Sequence, residues 1–189
     1  MQFLEQLKRI SRIGAWFGGG LILLSSLITF VDVLLRETAT ISIGSTDEMS
    51  GFALAMSTGW AMSWCLFERG HIRIDTVYTF FPPRLQLVLD FVGLLLLLIF
   101  FSFVAWYSGL KMVEAFQADA RTVSKLSLPI FFPVAVWLSG IVFFLICMVA
   151  TLLSAARCAL IGDIAKAHKI TGVKEILEEI EEESVVEFQ

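Results

Sequence analysis

Four long apolar runs constrain the fold of this 189-residue chain more than any other feature of its sequence. Runs of about 18 or more apolar residues are typical of α-helices that cross a membrane. Because 57% of the residues are hydrophobic, little of the chain remains for a soluble domain. The sequence therefore predicts an all-α integral membrane protein with one membrane domain, residues 13–160. Its four predicted transmembrane helices cover residues 13–35, 48–67, 86–110 and 129–156.

The two ends of the chain differ from the four runs in composition. Residues 1–12 carry apolar side chains on one helical face and basic side chains among the other positions, which is typical of a short interfacial amphipathic helix. The first apolar run is longer than a signal-peptide core of about 7–15 residues, so we expect it to be a retained anchor. Residues 161–189 predict a cytoplasmic tail with a short amphipathic helix and an acidic run.

The distribution of Lys and Arg predicts which ends of the spans face the cytoplasm. With the N-terminus inside, the inner segments carry ten basic residues and the outer segments carry four. Basic residues accumulate on the cytoplasmic side of membrane proteins. We therefore expect both termini, and the loop between the second and third spans, to be cytoplasmic.

The four runs differ in the sizes of their side chains. The second is rich in Gly, Ala, Ser and Thr, which let helix backbones approach closely in lipid, so it predicts a helix packed against protein. In the first run, Gly14 and Gly18 have the spacing of a packing contact. The third run is rich in Leu and Phe over residues 94–103, which favours a helix that faces lipid.

No sequence pattern here would carry catalysis. The two histidines, His71 and His168, lie outside the predicted spans, which disfavours a haem held at membrane depth. The cysteines Cys65, Cys147 and Cys158 lack the spacing of metal ligands or of a disulfide framework. The sequence contains no phosphate-binding loop, catalytic serine motif or zinc-protease motif, and no basic patch typical of nucleic-acid binding. We predict no enzyme activity, catalytic residue, metal or cofactor.

Charged residues cluster near the predicted outer ends of the first two spans. Asp32 and Arg36 are four residues apart, which places them on one helical face where they can neutralise each other. Asp47 and Glu48 open the second span. They either stabilise the N-terminus of that helix through its dipole or contact Arg36 across the first outer loop.

A dense polar segment with the sequence GHIRID begins at Gly70, just after the second span. Gly70 is suited to ending the helix. In one interpretation His71, Arg73 and Asp75 pair with one another or with Glu68 and lock the loop. In the other, Arg73 contacts a partner subunit or a lipid phosphate, because its planar guanidinium suits anions.

Together these features resemble the small membrane subunit, the DctQ-like family, of the tripartite ATP-independent periplasmic (TRAP) transporters. The likeness covers about residues 10–156. The family pattern G-H-[VI]-R-[VI]-D matches Gly70–Asp75. An apolar stretch ending in Arg, an acidic pair and prolines before the fourth span also match: Leu34-Leu35-Arg36, Asp47-Glu48, Ser127-Leu128-Pro129 and Pro133. Glu37 departs from the family, which often has an aromatic residue after the Arg.

The resemblance implies partners and a transport role. A large multi-span subunit would carry the substrate and coupling-ion sites, and a periplasmic substrate-binding protein would deliver an organic acid or related carboxylate. An ion gradient, often of sodium, would drive uptake across a bacterial inner membrane. The small subunit would brace the large one and help dock the binding protein. The alternative is an independent oligomeric tetraspan channel or small exporter; a membrane anchor for a soluble enzyme is disfavoured because haem ligands are missing.

Two groups of residues are the expected contact sites. Subunit contacts or structural locks are expected at Arg36, Asp47, Glu48, Gly70, His71, Arg73, Asp75, Pro129 and Pro133. The two prolines also suit the first turn of the fourth helix, where the N–H groups lack intrahelical partners. In the third loop, residues 111–128, three basic side chains either meet an acidic surface of the binding protein or are ordinary solvated charges: Lys111, Arg121 and Lys125.

Overall fold

The computed structural model describes residues 2–39, 41–42, 44–68, 82–124 and 126–161. Within these residues the chain forms four α-helices and no strand beyond one isolated bridge. The helices are α1 (Gln2–Ala39), α2 (Thr46–Phe67), α3 (Pro83–Gln117) and α4 (Phe131–Leu160). The all-helical architecture expected from the sequence is confirmed. The tail expected after residue 161 lies outside the described residues.

Helix α1 joins two segments that the sequence analysis separates. Its 38 residues continue without a break from the expected interfacial segment into the first apolar run. No proline interrupts this stretch, so no backbone N–H is lost and the hydrogen-bond ladder continues. At about 1.5 Å per residue the helix is ~57 Å long, nearly twice the ~30 Å hydrocarbon core of a bilayer. The interfacial location of its first turns stays a prediction.

Three of the four helices are long and apolar enough to cross a membrane by their length and composition. They are the segments Phe3–Ala39, Leu85–Gln117 and Phe131–Ala159. Helix α2 falls outside this group because its many Gly, Ser, Thr and Trp residues lower its mean hydropathy. Its crossing of the membrane stays a prediction.

The helices are arranged in a row in the order α1, α2, α4, α3. Helix α2 packs along α1 on one side and along α4 on the other, while α3 packs along α4. Helix α1 touches α4 at only a few places. A closed four-helix bundle would require α3 to pack along α1 as well, and the described residues form no such extensive contact. The row therefore exposes two broad faces and both of its end helices.

Small residues of α2 bring the backbones of the central helices together. A Cβ atom built on Gly140 of α4 would lie 2.7 Å from the carbonyl carbon of Gly59, and one built on Gly18 of α1 would lie 2.9 Å from the carbonyl oxygen of Ser57. Gly14 faces Trp60 in the same way, with a built Cβ 3.1 Å from the indole ring. The prediction that the second apolar run packs against protein is confirmed by these contacts.

Aromatic side chains fill the spaces on either side of this close approach. The Trp60 indole Nε1 donates a hydrogen bond to the Val136 carbonyl oxygen at 3.2 Å, and the indole stacks on Phe143 with ring centroids 5.8 Å apart. Phe144 of α4 is fully buried and meets Phe101 of α3 edge-to-face at 5.0 Å. The rest of α3 presents Leu and Phe side chains outward, as the sequence predicts for a lipid-facing helix.

Substituting Gly140→Ala tests the close approach of α2 and α4. The added methyl group would meet the Gly59 backbone, which cannot rotate away, so the two helices must separate. We expect a loss of about 1–3 kcal/mol in stability, the usual range for overpacking. Thermal unfolding of the detergent-solubilised chain measures it as a midpoint several degrees lower.

The matched control is Gly20→Ala in α1, where a built Cβ has nothing within 4 Å. This variant should keep or slightly raise the midpoint, because Ala favours the helix over Gly by about 1 kcal/mol. Equal midpoints for Gly140→Ala and Gly20→Ala would contradict the packing described.

Candidate functional site

A polar cluster holds the connection between α1 and α2. Asp32 is 1% exposed, and Arg36 Nη2 lies 2.6 Å from its Oδ2. Arg36 Nε donates to Ser42 Oγ at 3.0 Å, and Ser42 Oγ donates to Asp32 Oδ1 at 3.4 Å. The Gly44 backbone N–H also donates to Ser42 Oγ, at 3.1 Å. The expected neutralisation of Asp32 by Arg36 therefore forms, and Ser42, which sequence reasoning missed, ties the pair to the loop.

The acidic pair Asp47 and Glu48 lies in the first turn of α2. Carboxylates are stabilised there by the helix dipole and the free N–H groups. Arg36 is engaged by Asp32 and Ser42 instead, and neither carboxylate of the pair forms an ion pair with any residue that the structure describes. Asp47 is exposed and Glu48 is half-buried. A contact of this pair with another chain stays a prediction.

At the other end of α2, away from the α1–α2 loop, an ion pair joins α1 and α2. Lys8 Nζ lies 3.0 Å from Glu68 Oε1, and the same ammonium group lies 5.5 Å from the centroid of the Trp64 ring. Both charged side chains are partly exposed, so the pair contributes about 1 kcal/mol or less. Its structural effect is to fix the register of the first turns of α1 against the last turn of α2.

The polar segment GHIRID, from Gly70 to Asp75, lies outside the residues that the structure describes. The two roles expected for His71 and Arg73, to lock the loop or to contact a partner, therefore stay predictions. Glu68, one of the expected partners inside the lock, pairs with Lys8.

The loop between α3 and α4 folds back on itself as a short antiparallel pairing. The Thr122 N–H donates to the Leu128 carbonyl at 2.9 Å, and the Ile130 N–H donates to the Ala120 carbonyl at 3.0 Å. The Leu128 N–H donates to Thr122 Oγ1 at 3.1 Å. The buried Thr122 thus fixes the loop, while Val123 beside it is fully exposed, at 100%. The described part of this turn therefore exposes the apolar side chains of Val123 and Leu126.

The basic residues expected to dock a binding protein have acidic neighbours, and Lys111, expected in the loop, lies instead in the last turns of α3, which continues to Gln117. Lys111 Nζ lies 2.7 Å from Glu114 Oε2, and Arg121 Nε lies 3.4 Å from Asp119 Oδ2. Lys125 lies outside the described residues. The described part of the loop therefore carries no excess positive charge, and docking through these side chains stays a prediction.

The two prolines of the expected site lie where the loop enters α4. Arg121 and Pro129 form the isolated bridge of the antiparallel pairing, and the Pro129 carbonyl accepts from the Phe132 N–H at 3.2 Å. Pro133 is buried at the third position of α4. Because helix N–H groups at that position have no intrahelical acceptor, Pro133 does not disturb the helix.

Comparison with protein-family models gives a match over most of the chain. The family model described as "Tripartite ATP-independent periplasmic transporters, DctQ component" matches residues 25–158, which run from the middle of α1 almost to the end of α4. Neither the curated proteins nor the solved structures contain a match to the chain.

Substituting Arg36→Ala tests the polar cluster. The change would leave the buried Asp32 carboxylate without its guanidinium, and breaking a buried pair costs about 3–5 kcal/mol. Because Arg36 is half exposed, we expect a smaller loss, about 1–3 kcal/mol, measured as a lower midpoint of thermal unfolding.

The matched control is the double variant Arg36→Ala, Asp32→Asn, which removes the uncompensated charge. It should recover part of the lost stability, since a neutral amide is cheaper to bury than a carboxylate. A double variant less stable than Arg36→Ala alone would contradict the role assigned to Arg36.

Proposed function

We propose a function for this chain on one premise: it belongs to the DctQ component family of the tripartite ATP-independent periplasmic transporters. The family match covers most of the chain, so the chain is the small membrane component of such a transporter. We propose that it is a scaffold, which braces a large multi-span subunit and helps to dock a periplasmic substrate-binding protein. In this proposal the complex takes up an organic acid or related carboxylate, driven by an ion gradient, often of sodium.

The observation that carries the proposal is the open row of helices. A row cannot enclose a solute path by itself, whereas it offers two broad faces and two end helices to other chains or to lipid. In lipid, helices associate through packing and hydrogen bonds and not through apolar burial. The backbone of α2 lies close to α4 at Gly59 and close to α1 at Ser57. Such close packing favours a rigid row of helices, as a scaffold subunit requires.

The placement of buried charge also supports a scaffold. Asp32 is buried but is neutralised by Arg36 next to the first loop. Asp90, the other buried carboxylate among the described residues, lies in the second turn of α3. Both lie toward helix ends, whereas ion and solute pathways place ionisable groups inside the membrane.

For orientation, we propose the arrangement expected from the basic residues, with both termini in the cytoplasm. The loop between α3 and α4 then faces the periplasm of a bacterial inner membrane. Its antiparallel pairing and the exposed Val123 side chain would present a defined shape to a binding protein. Lys125 and Arg121 would add positive charge where the partner is acidic.

Substituting Arg73→Ala tests the contact with the large subunit. If Arg73 contacts the large subunit, several-fold less of the variant than of the wild-type chain should co-purify with the large subunit. Arg9→Ala is the matched control, since Arg9 is an exposed basic residue at the same predicted side of the membrane. Unchanged co-purification and uptake in Arg73→Ala would assign the segment to the loop lock.

Reversing charge with Arg121→Glu and Lys125→Glu tests docking of the binding protein. We expect uptake to require several-fold more binding protein for half-maximal rate, because favourable long-range steering is replaced by repulsion. The control is the charge-conserving pair Arg121→Lys and Lys125→Arg. Identical dependence on binding-protein concentration in all three proteins would remove these side chains from the docking surface.

A further inference from the structure

A groove of about 480 Å³ runs along the side of α1 and has a charged side chain at one end. Successive turns of α1 and one indole of α2 form its wall, and we call it the Arg12 groove after the first of them: Arg12, Trp16, Gly19, Gly20, Leu23 and Trp64. At about 1.5 Å per residue, α1 rises ~16 Å between Arg12 and Leu23. Half of the ~30 Å hydrocarbon core of a bilayer is ~15 Å, so the groove has the length of one leaflet.

The positive charge at the end of the Arg12 groove has no counter-charge. Arg12 is exposed, and so is Arg9 in the preceding turn. Neither guanidinium forms an ion pair with any residue that the structure describes, whereas the nearby Lys8 pairs with Glu68. A planar guanidinium donates two parallel hydrogen bonds to a phosphate group, so this end of the groove suits a phosphate.

Two glycines open the middle of the groove without serving any contact inside the row. A Cβ atom built on Gly19 or Gly20 would meet nothing within 4 Å, whereas Gly14 and Gly18 lie against α2. Glycine in a helix interior costs about 1 kcal/mol relative to alanine. The packing of the described helices therefore accounts for Gly14 and Gly18 only, and the other two glycines leave space for a molecule from outside the chain.

The two tryptophans of the wall give the depth of the groove in the membrane. Tryptophan is enriched at the boundary between the hydrocarbon core and water. With Trp16 and Trp64 at that boundary, Arg12 lies one turn further out, at the depth of the lipid headgroups. The glycines and Leu23 then lie in the hydrocarbon. The groove therefore has a cationic end among the headgroups and an apolar end among the acyl chains.

The shape of the groove favours a flexible chain over a helix of another protein. Close docking of helices in lipid uses small residues that recur over several turns. Here Trp16, 75% exposed, and Leu23, 69% exposed, project on either side of the two glycines and would hold a straight helix away from them. An acyl chain can bend between these two side chains.

We propose that the Arg12 groove binds one anionic phospholipid. Its phosphate contacts Arg12 and Arg9, and one acyl chain lies over Gly19 and Gly20 toward Leu23. In the proposed orientation this lipid belongs to the cytoplasmic leaflet. The site goes beyond the scaffold function and is a property of the chain by itself.

Native mass spectrometry of the full-length chain in detergent tests the charge at the site. We expect the chain to retain added phosphatidylglycerol several-fold more than phosphatidylcholine with the same acyl chains. Arg12→Gln should lose this preference, because the phosphate loses its guanidinium. The matched control is Arg157→Gln, which removes an exposed arginine from the last turn of α4 and should keep the preference. Equal retention of the two lipids by the wild-type chain, or equal losses in the two variants, would overturn the proposal.

The apolar part of the groove is tested by Gly19→Leu. The leucine side chain should occupy the path of the acyl chain and lower the retention of phosphatidylglycerol several-fold. Gly51→Leu is the matched control, since Gly51 of α2 also has nothing within 4 Å of a built Cβ but lines a different groove. Both variants should keep the wild-type midpoint of thermal unfolding. Retention that stays unchanged in Gly19→Leu, or falls equally in both variants, counts against the site.

Co-purification separates a lipid from an acidic segment of the large subunit. If such a segment fills the groove, the chain alone shows no preference for phosphatidylglycerol and Arg12→Gln co-purifies poorly with the large subunit. That result overturns the lipid site and leaves the scaffold function intact. Failure of the scaffold function would appear in uptake by the complex, and lipid retention by the chain alone would not change.

Discussion

The close approach of the α2 and α4 backbones is the constraint on which the rest of this structure depends. In water, apolar side chains would hold such helices together, but in lipid that driving force is absent and association relies on packing. Gly59 and Gly140 allow this packing because each lacks the Cβ that would hold the helices apart. Trp60 then reaches the Val136 carbonyl and stacks on Phe143. With α1 fitted against the other face of α2 at Ser57, α2 becomes an inner helix of the row that packs against protein on both sides.

The arrangement of the helices in an open row has a direct consequence for function. Its two faces and its end helices remain open, so the chain offers surface and does not enclose a pathway. The buried carboxylate Asp32 is used to fix a loop through Arg36 and Ser42. These features fit the small component of a TRAP transporter, the family to which the chain belongs. Bracing of the large subunit and docking of a binding protein are our proposals for how the surface is used.

The helices and the contacts between residues one turn apart could be predicted, because they depend on residues that are close in the sequence. Apolar runs and the small residues of α2 predicted the helices and the central packing, and the four-residue spacing of Asp32 and Arg36 predicted their ion pair. The order of the row could not be predicted, because it depends on which helix faces meet over long sequence separations. Ser42 was missed because a serine in a loop carries no pattern. The segment from Gly70 to Asp75 identified the family, although it lies outside the residues that the structure describes.

Solute uptake by defined combinations of purified chains tests the central claim most directly. The solute is first identified by thermal-shift screening of the cognate binding protein with candidate carboxylates. Vesicles then receive this chain alone, or this chain with the large subunit, each with the loaded binding protein outside and an ion gradient imposed. A scaffold subunit predicts no uptake by the chain alone and uptake once the large subunit is present. Gradient-driven uptake by this chain alone would contradict the account and favour an independent channel or exporter.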